Sequence, residues 1–242
     1  MRLKDRTAII TGAGSGFGAG IARRFAAEGA RVILADIDLA AAERVAGEIG
    51  GTPQACDVGR ADSVAALAAM AGQVDIVVNN AGVTHLPAFL EDVTEEDFDR
   101  VLAVNTRSVY LMSRAFVPAM KARRSGVILN IASTAGVSPR PRLNWYNASK
   151  GWVITATRAM AVELAPFGVR VNALNPVAGE TPLLKSFMGE DTPENRAKFL
   201  ASIPLGRFST PEDVGNAALF LCSDEASMIT GVAMEVDGGR CI

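Results

Sequence analysis

Cysteine, histidine, tyrosine and tryptophan are all scarce in this chain, which has three Cys, one His, two Tyr and two Trp in 242 residues. Cys56, Cys222 and Cys241 are an odd set, far apart and without metal-ligand spacing, so neither a disulfide framework nor a metal site is expected. Cys56 reads as a small apolar residue at a strand end. The lone histidine, His85, offers no metal site; on a loop, it is open to a substrate contact. Charge of one sign is not in excess either. A net charge of −2 gives no electrostatic reason to expect nucleic acid or an acidic membrane surface as partner. No apolar run approaches bilayer length, and the richest, around Val127 to Ile131, are strand-sized. Met1 to Arg6 carries no apolar signal segment, which makes cytoplasmic residence the default expectation. Linkers, repeats and low-complexity stretches are missing as well, so residues 1–242 are expected to form one domain.

What is present is apolar and glycine-rich. Hydrophobic residues at 49% with 23 glycines suit a buried parallel sheet joined by tight turns. Strand-like runs recur near residues 7–11, 31–35, 53–56, 74–78, 126–131, 169–174 and 232–236, and alanine-rich helical segments separate them as far as the sixth. That alternation predicts an α/β domain, its parallel sheet covered by helices on both faces through right-handed crossovers. Two segments break the rhythm. Ser138-Pro-Arg-Pro-Arg-Leu143 is one; the other runs from about 179 to 207. In the latter, Leu183, Leu184, Phe187, Met188, Phe199 and Leu200 predict two short helices with apolar inner faces. Their place at the carboxyl edge of the sheet suits a substrate lid, the other reading being that they complete the core.

The first strand-like run, Thr7 to Ile10, leads directly into Thr11-Gly-Ala-Gly-Ser-Gly-Phe-Gly18 and then an amphipathic helix. Strand, glycine turn and helix start, in that order, are the context of a dinucleotide-binding turn. Side chains there would block the backbone from a pyrophosphate, and the helix N-terminus offers N–H groups and a positive dipole end to it. The second run ends at Asp36, whose carboxylate suits both hydroxyls of an adenosine ribose and would repel a 2′-phosphate. Neither Ser15 nor Ile37 supplies the base that such a phosphate would want, so NAD is expected over NADP. As a helix cap Asp38 is better placed than Asp36. Tyr146 and Lys150 are four apart and share a helix face, where an ammonium near a phenol favours the phenolate. Alone, such a pair is usually a solvated face.

Taken in order, these residues resemble the short-chain dehydrogenase/reductase family over nearly the whole chain. Gly12, Ser15, Gly16, Phe17 and Gly18 fall on the family's cofactor turn, with Asp36 and Ile37 closing the second strand. Asp57-Val58 resembles the dipeptide that contacts adenine. Asn79-Asn-Ala-Gly82 resembles the segment that stabilises the central sheet and lines the adenosine side, which implies cofactor contacts from Asn79, Ala81 and Gly82. Pro176, Val177 and Thr181 fall on the nicotinamide side, although Val177 stands where glycine is usual. Asn105, Ser133, Tyr146 and Lys150 fall on the catalytic tetrad.

The resemblance implies a single-domain Rossmann-type doubly wound sheet of seven parallel strands, order 3-2-1-4-5-6-7. It also implies hydride transfer between a secondary alcohol (a small or medium alcohol, diol or polyol) and NAD, giving the ketone without a metal. Tyr146 would move the proton. Lys150 would lower the phenol's pKa and hold the nicotinamide ribose, and Ser133 would hold the reacting oxygen. Asn105 has two readings: it holds a water leading to Lys150, or it distorts its helix. A homotetramer through the helices near Thr94–Met120 and Tyr146–Pro166 is implied, with a second contact near Val232 to Ile242. Two alternatives stand beside this, a 3-oxoacyl thioester (acyl carrier protein) reductase and a non-catalytic dinucleotide-binding sensor. Arg140 and Arg142 leave a further choice between a carboxylate-, phosphate- or sulfonate-binding role and a solvated or subunit-contact loop. The apolar 183–200 stretch tips the expectation to a neutral substrate.

Overall fold

A computed structural model describes residues 1–242. The elements alternate as β1 (Thr7–Thr11), α1 (Gly16–Ala27), β2 (Arg31–Asp36), α2 (Leu39–Ile49), β3 (Thr52–Ala55), α3 (Ala61–Ala71) and β4 (Ile76–Asn79). The next are α4 (Glu95–Leu102), α5 (Ser108–Arg123), β5 (Gly126–Ile131), α6 (Asn144–Leu164) and β6 (Val169–Pro176). The chain closes with α7 (Leu184–Met188), α8 (Pro193–Leu200), α9 (Pro211–Cys222) and β7 (Ala233–Val236). All seven strands are parallel in the order β3-β2-β1-β4-β5-β6-β7, as expected. No helix is long and apolar enough to cross a membrane.

Burial explains the strand composition. Every residue of β1 and β4 is buried, so both read as unbroken apolar runs rather than alternating ones. One face of the sheet packs Phe25, Ile21 and Leu219 from α1 and α9 with Val45 of α2; the other packs Leu67, Met112, Phe116 and Leu164 from α3, α5 and α6. β4 begins at Ile76, two residues later than expected; just before it, Asp75 accepts the Thr7 N–H on its carboxylate at 2.9 Å. The strand order reverses between β1 and β4, and a crevice opens beyond their carboxyl ends.

Two departures bear on the site. The helix expected from Thr94 to Met120 is interrupted: residues 103–107 form a π turn around Asn105 between α4 and α5. The two short helices expected in 179–207 form as α7 and α8, and Leu184 and Met188 pack with Val177, Ile203 and Phe208 in a small core of their own. Phe187 is left over from that core and turns to Tyr146.

Candidate active site

The turn after β1 and the loop after β4 meet at the crevice. Gly12 has φ +64°, and a Cβ there would come within 2.9 Å of Ala81 Cα, so only glycine lets the two loops approach. Gly18 stands behind the turn, where a Cβ would lie 2.1 Å from the Gly12 carbonyl oxygen. It sets the packing of α1 on the turn and does not line the cleft, a correction to the expected direct contact. Ser15 is extended at the start of α1 and its side chain caps nothing, so the first N–H groups of the helix are left for an anion.

The cleft that results has a volume of ≈ 730 Å³ and runs from Asp36, Ile37, Asp57 and Val58 past Gly12, Ser15, Gly16 and Phe17 to Ser133, Tyr146 and Lys150. Ala81, Gly82, Pro176, Val177 and Thr181 complete the expected lining. Asp36 accepts the Gly14 and Asp38 N–H groups at 2.8 and 3.0 Å, one on each oxygen. A carboxylate has about four acceptor sites, so it keeps capacity for two hydroxyls. Asp38 caps α2 through Ala41 N, as expected.

Asn79 is a second correction. Its Nδ2 donates to Asn130 Oδ1 at 2.8 Å, and Asn130 donates in turn to Thr157 Oγ1. That is the sheet-stabilising part of its expected role, and Asn79 does not line the cleft. Adjacent residues at a strand end face opposite ways, so it is Asn80 that borders the cleft, its Nδ2 held by the carbonyls of Thr11 and Gly12. Alternation along Asn79-Asn80 was the signal for it. Arg60 and Arg100 also border the cleft and had no such signal. A further basic group stands near the adenosine end: Arg44 Nη2 lies 3.4 Å from the Gly14 carbonyl. It lies in the second turn of α2, beyond the positions next to Asp36.

At the far end Tyr146 and Lys150 occupy the first two turns of α6, both buried, and Ser133 follows β5 with its Oγ accepting from Ala135 N. Lys150 Nζ donates to the Ile131 carbonyl at 2.9 Å and lies 5.9 Å from the Tyr146 ring centroid. Burial pushes the phenol up to about 12, with the Ser133 hydroxyl pulling the other way, and burial brings Lys150 down to about 8. The ammonium is therefore not what sets the phenol's proton affinity in the protein alone; loss of solvent dominates both groups.

Asn105 does not line the cleft. Its Oδ1 accepts from Val83 N, and its Nδ2 donates to Val83 O and to Ser149 Oγ, all at 2.9 Å. Ser149 donates to the Tyr146 carbonyl, so this amide ties the loop after β4 to α6 from within the π turn. Of its two readings, the helix-distorting one matches these contacts. Val177, in place of the usual glycine, continues the β6 pairing through Val236 O and buries its side chain in the small core around Leu184. His85 is buried with Nδ1 on the Leu86 carbonyl and does not reach the cleft. Arg142 is exposed, 4.5 Å from the Phe89 ring centroid, and Arg140 is half-buried outside the lining.

The two ends of this cleft define a dinucleotide-dependent oxidoreductase, and comparison with known proteins places it. The chain belongs to the short-chain dehydrogenase/reductase family, whose typical cofactor is a nicotinamide dinucleotide. The family profile described as Enoyl-(Acyl carrier protein) reductase matches residues 12–240. The chain is 50% identical to 4-formylbenzenesulfonate dehydrogenase of Comamonas testosteroni, with 100% of both proteins covered. It is 39% identical to galactitol 2-dehydrogenase of Agrobacterium fabrum, with 99% of both covered. Among solved structures, 3-ketoacyl-(acyl-carrier-protein) reductase from Brucella melitensis complexed with NADH is 54% identical, with a TM-score of 0.94 over 99% of this chain and 100% of that one.

Proposed function

We propose that this chain is an NAD-dependent dehydrogenase that oxidises a secondary alcohol, diol or polyol to the ketone, with residues 179–207 as a lid over the substrate. The observation that carries this reading is that Ser133, Tyr146 and Lys150 share one cleft with the glycine turn and Asp36. The cradle fits the cofactor: Gly12 admits a close backbone, α1 leaves its first N–H groups open, and Asp36 keeps acceptor sites for a ribose. A bound NAD would supply the hydride acceptor and a positive charge near the phenol. Tyr146 then takes the hydroxyl proton, Ser133 holds the reacting oxygen, and Lys150 holds the phenol's surroundings polar and binds the cofactor's ribose. Asn105 positions α6 through Ser149.

Cofactor choice rests on Asp36 against the more distant Arg44. NAD is expected to exceed NADP in kcat/KM by at least about tenfold, roughly 1.4 kcal/mol, and Asp36→Ala to narrow the gap. Equal or better turnover with NADP rejects the assignment. A panel of alcohols and polyols followed by NADH absorbance tests the activity itself.

A 3-oxoacyl thioester reductase is the second reading, favoured by the Brucella structure. That protein is complexed with NADH, so Asp36 does not count against thioester reduction. Turnover of an acetoacetyl thioester faster than of any alcohol would decide for it. A non-catalytic sensor would have no need of the buried Tyr146 and Lys150. For assembly we propose a homotetramer, supported by Tyr110, Trp152 and Val162, which are 53%, 45% and 80% exposed on α5 and α6. Light scattering at micromolar concentration should give four chains; a monomer refutes it.

A further inference from the structure

Three segments remote in sequence meet beside α8. They are the Ser138–Arg142 loop leading into α6, the end of α8, and the C-terminal tail from Asp237 to Ile242. Arg140 lies with its guanidinium carbon 4.1 Å from the Phe199 ring centroid and Nη2 3.4 Å from Ser202 Oγ. Arg240 donates from Nη1 to Ser138 Oγ at 3.2 Å, two residues from Arg140. The tail is fixed there, because Leu205 N donates to the Gly238 carbonyl at 3.1 Å.

Both guanidiniums are half-buried, and neither has a carboxylate within 4.0 Å. Asp237, an acid of the same tail, accepts the N–H groups of Gly239 and Cys241 and forms no ion pair with either arginine. Arg240 Nε is buried with no hydrogen-bond partner. Burial first, and then the charge of Arg240, bring Arg140 down to about 10, which leaves it charged at neutral pH. Two neighbouring cations that are partly desolvated and unpaired repel each other, and arginine seldom goes inside a protein without a counter-charge. An anion supplies one.

We propose that Arg140 and Arg240 form a subsite for an acidic group, a sulfonate or carboxylate, on the substrate. This rests on reading the cleft as an alcohol dehydrogenase site, and it replaces the neutral substrate expected from the apolar 183–200 stretch. The place is suitable. Asn147, next to Tyr146, donates Nδ2 to the Arg140 carbonyl at 2.7 Å. Phe187 of α7 lies edge-on to the Tyr146 ring at 5.1 Å, while Phe199 of α8 lies under Arg140. Residues 183–200 thus touch the phenol through Phe187 and Arg140 through Phe199, beside a cleft that neither arginine lines. A substrate with its alcohol at Tyr146 and its acid at the pair would be clamped between them, the guanidinium forks giving paired hydrogen bonds to the oxyanion.

The test uses three matched alcohols: 1-phenylethanol, 4-(1-hydroxyethyl)benzoate and 4-(1-hydroxyethyl)benzenesulfonate. Arg140→Gln and Arg240→Gln should each raise KM for the two anions by about tenfold or more, the size of one lost charge-assisted hydrogen bond. Neither should move KM for 1-phenylethanol or kcat. Arg140→Lys, which keeps the charge, should recover part of the loss. Equal rises for neutral and anionic alcohols would overturn the proposal, because disturbed packing on Phe199 would then be the cause. Calorimetric titration with benzenesulfonate separates this from the dehydrogenase reading. Turnover of 1-phenylethanol without benzenesulfonate binding sinks the subsite and leaves the dehydrogenase. No turnover of any alcohol, with benzenesulfonate bound by the native chain and not by the Gln variants, keeps the anion site and refutes the dehydrogenase.

Discussion

Tyr146→Phe is expected to keep cofactor affinity and lose turnover by about 10²–10⁴-fold, the range for removing a positioned acid–base group. The substitution deletes one oxygen and little else. The ring is buried against Phe187 at 5.1 Å, and phenylalanine keeps that contact. Ser133 stays satisfied by the Ala135 N–H. The phenol's high proton affinity, about 12 in the protein alone, sharpens the expectation. Such a group yields its proton at ordinary pH only when positive charge comes near, so the native rate of alcohol oxidation should climb with pH and the variant's residual rate should not. Cofactor affinity is read by quenching of protein fluorescence, turnover by NADH absorbance. A near-native rate in Tyr146→Phe rejects the mechanism.

What was legible in the sequence is what local patterns encode. Buried parallel strands read as continuous apolar runs, so the seven runs gave the elements, and the glycine turn after Ile10 marked the switch point. Tyr146, Lys150 and Ser133 were legible because a four-residue spacing on a helix and a polar residue after an apolar strand are both short-range. The rest depends on partners far along the chain. Asn105 was placed, but its hold on Val83 and on Ser149, 44 residues away, could not be read from its neighbours. Asn79 faces Asn130 in the next strand and Asn80 faces the cleft, a choice that their neighbours in sequence do not reveal. Arg140 and Arg240 come together only because the tail packs beside α8, and Ser138 and Arg240 are 102 residues apart. The effect of burial on Tyr146 and Lys150 was not legible for the same reason. Spacing shows which charges are near, whereas burial is a property of the whole fold, and here burial wins.

Lys150→Met carries the second large effect and separates charge from packing. Methionine keeps most of the side-chain volume and removes the ammonium, so turnover should fall by about 10²–10⁴-fold. Unlike Tyr146→Phe it should also weaken cofactor binding by roughly ten- to a hundredfold, the worth of one charged hydrogen bond. The same variant tests the desolvation directly through stability against pH. Lys150 sits at about 8 in the folded chain, below its unfolded value of roughly 10.4. Between those values the unfolded chain binds more protons, so this group makes stability rise with pH across that window. Below about 8 both states hold the proton, and the cost of the buried charge is constant. Tyr146 acts oppositely and higher: it makes stability fall between its unfolded value of roughly 10 and its folded value of about 12. Urea midpoints from pH 7 to 10 should therefore rise in the native chain more than in Lys150→Met, after subtraction of what the two share. Parallel profiles would mean that the ammonium is well solvated in the folded protein. In that case an ammonium beside the phenol, rather than loss of water around both, would govern the proton at Tyr146.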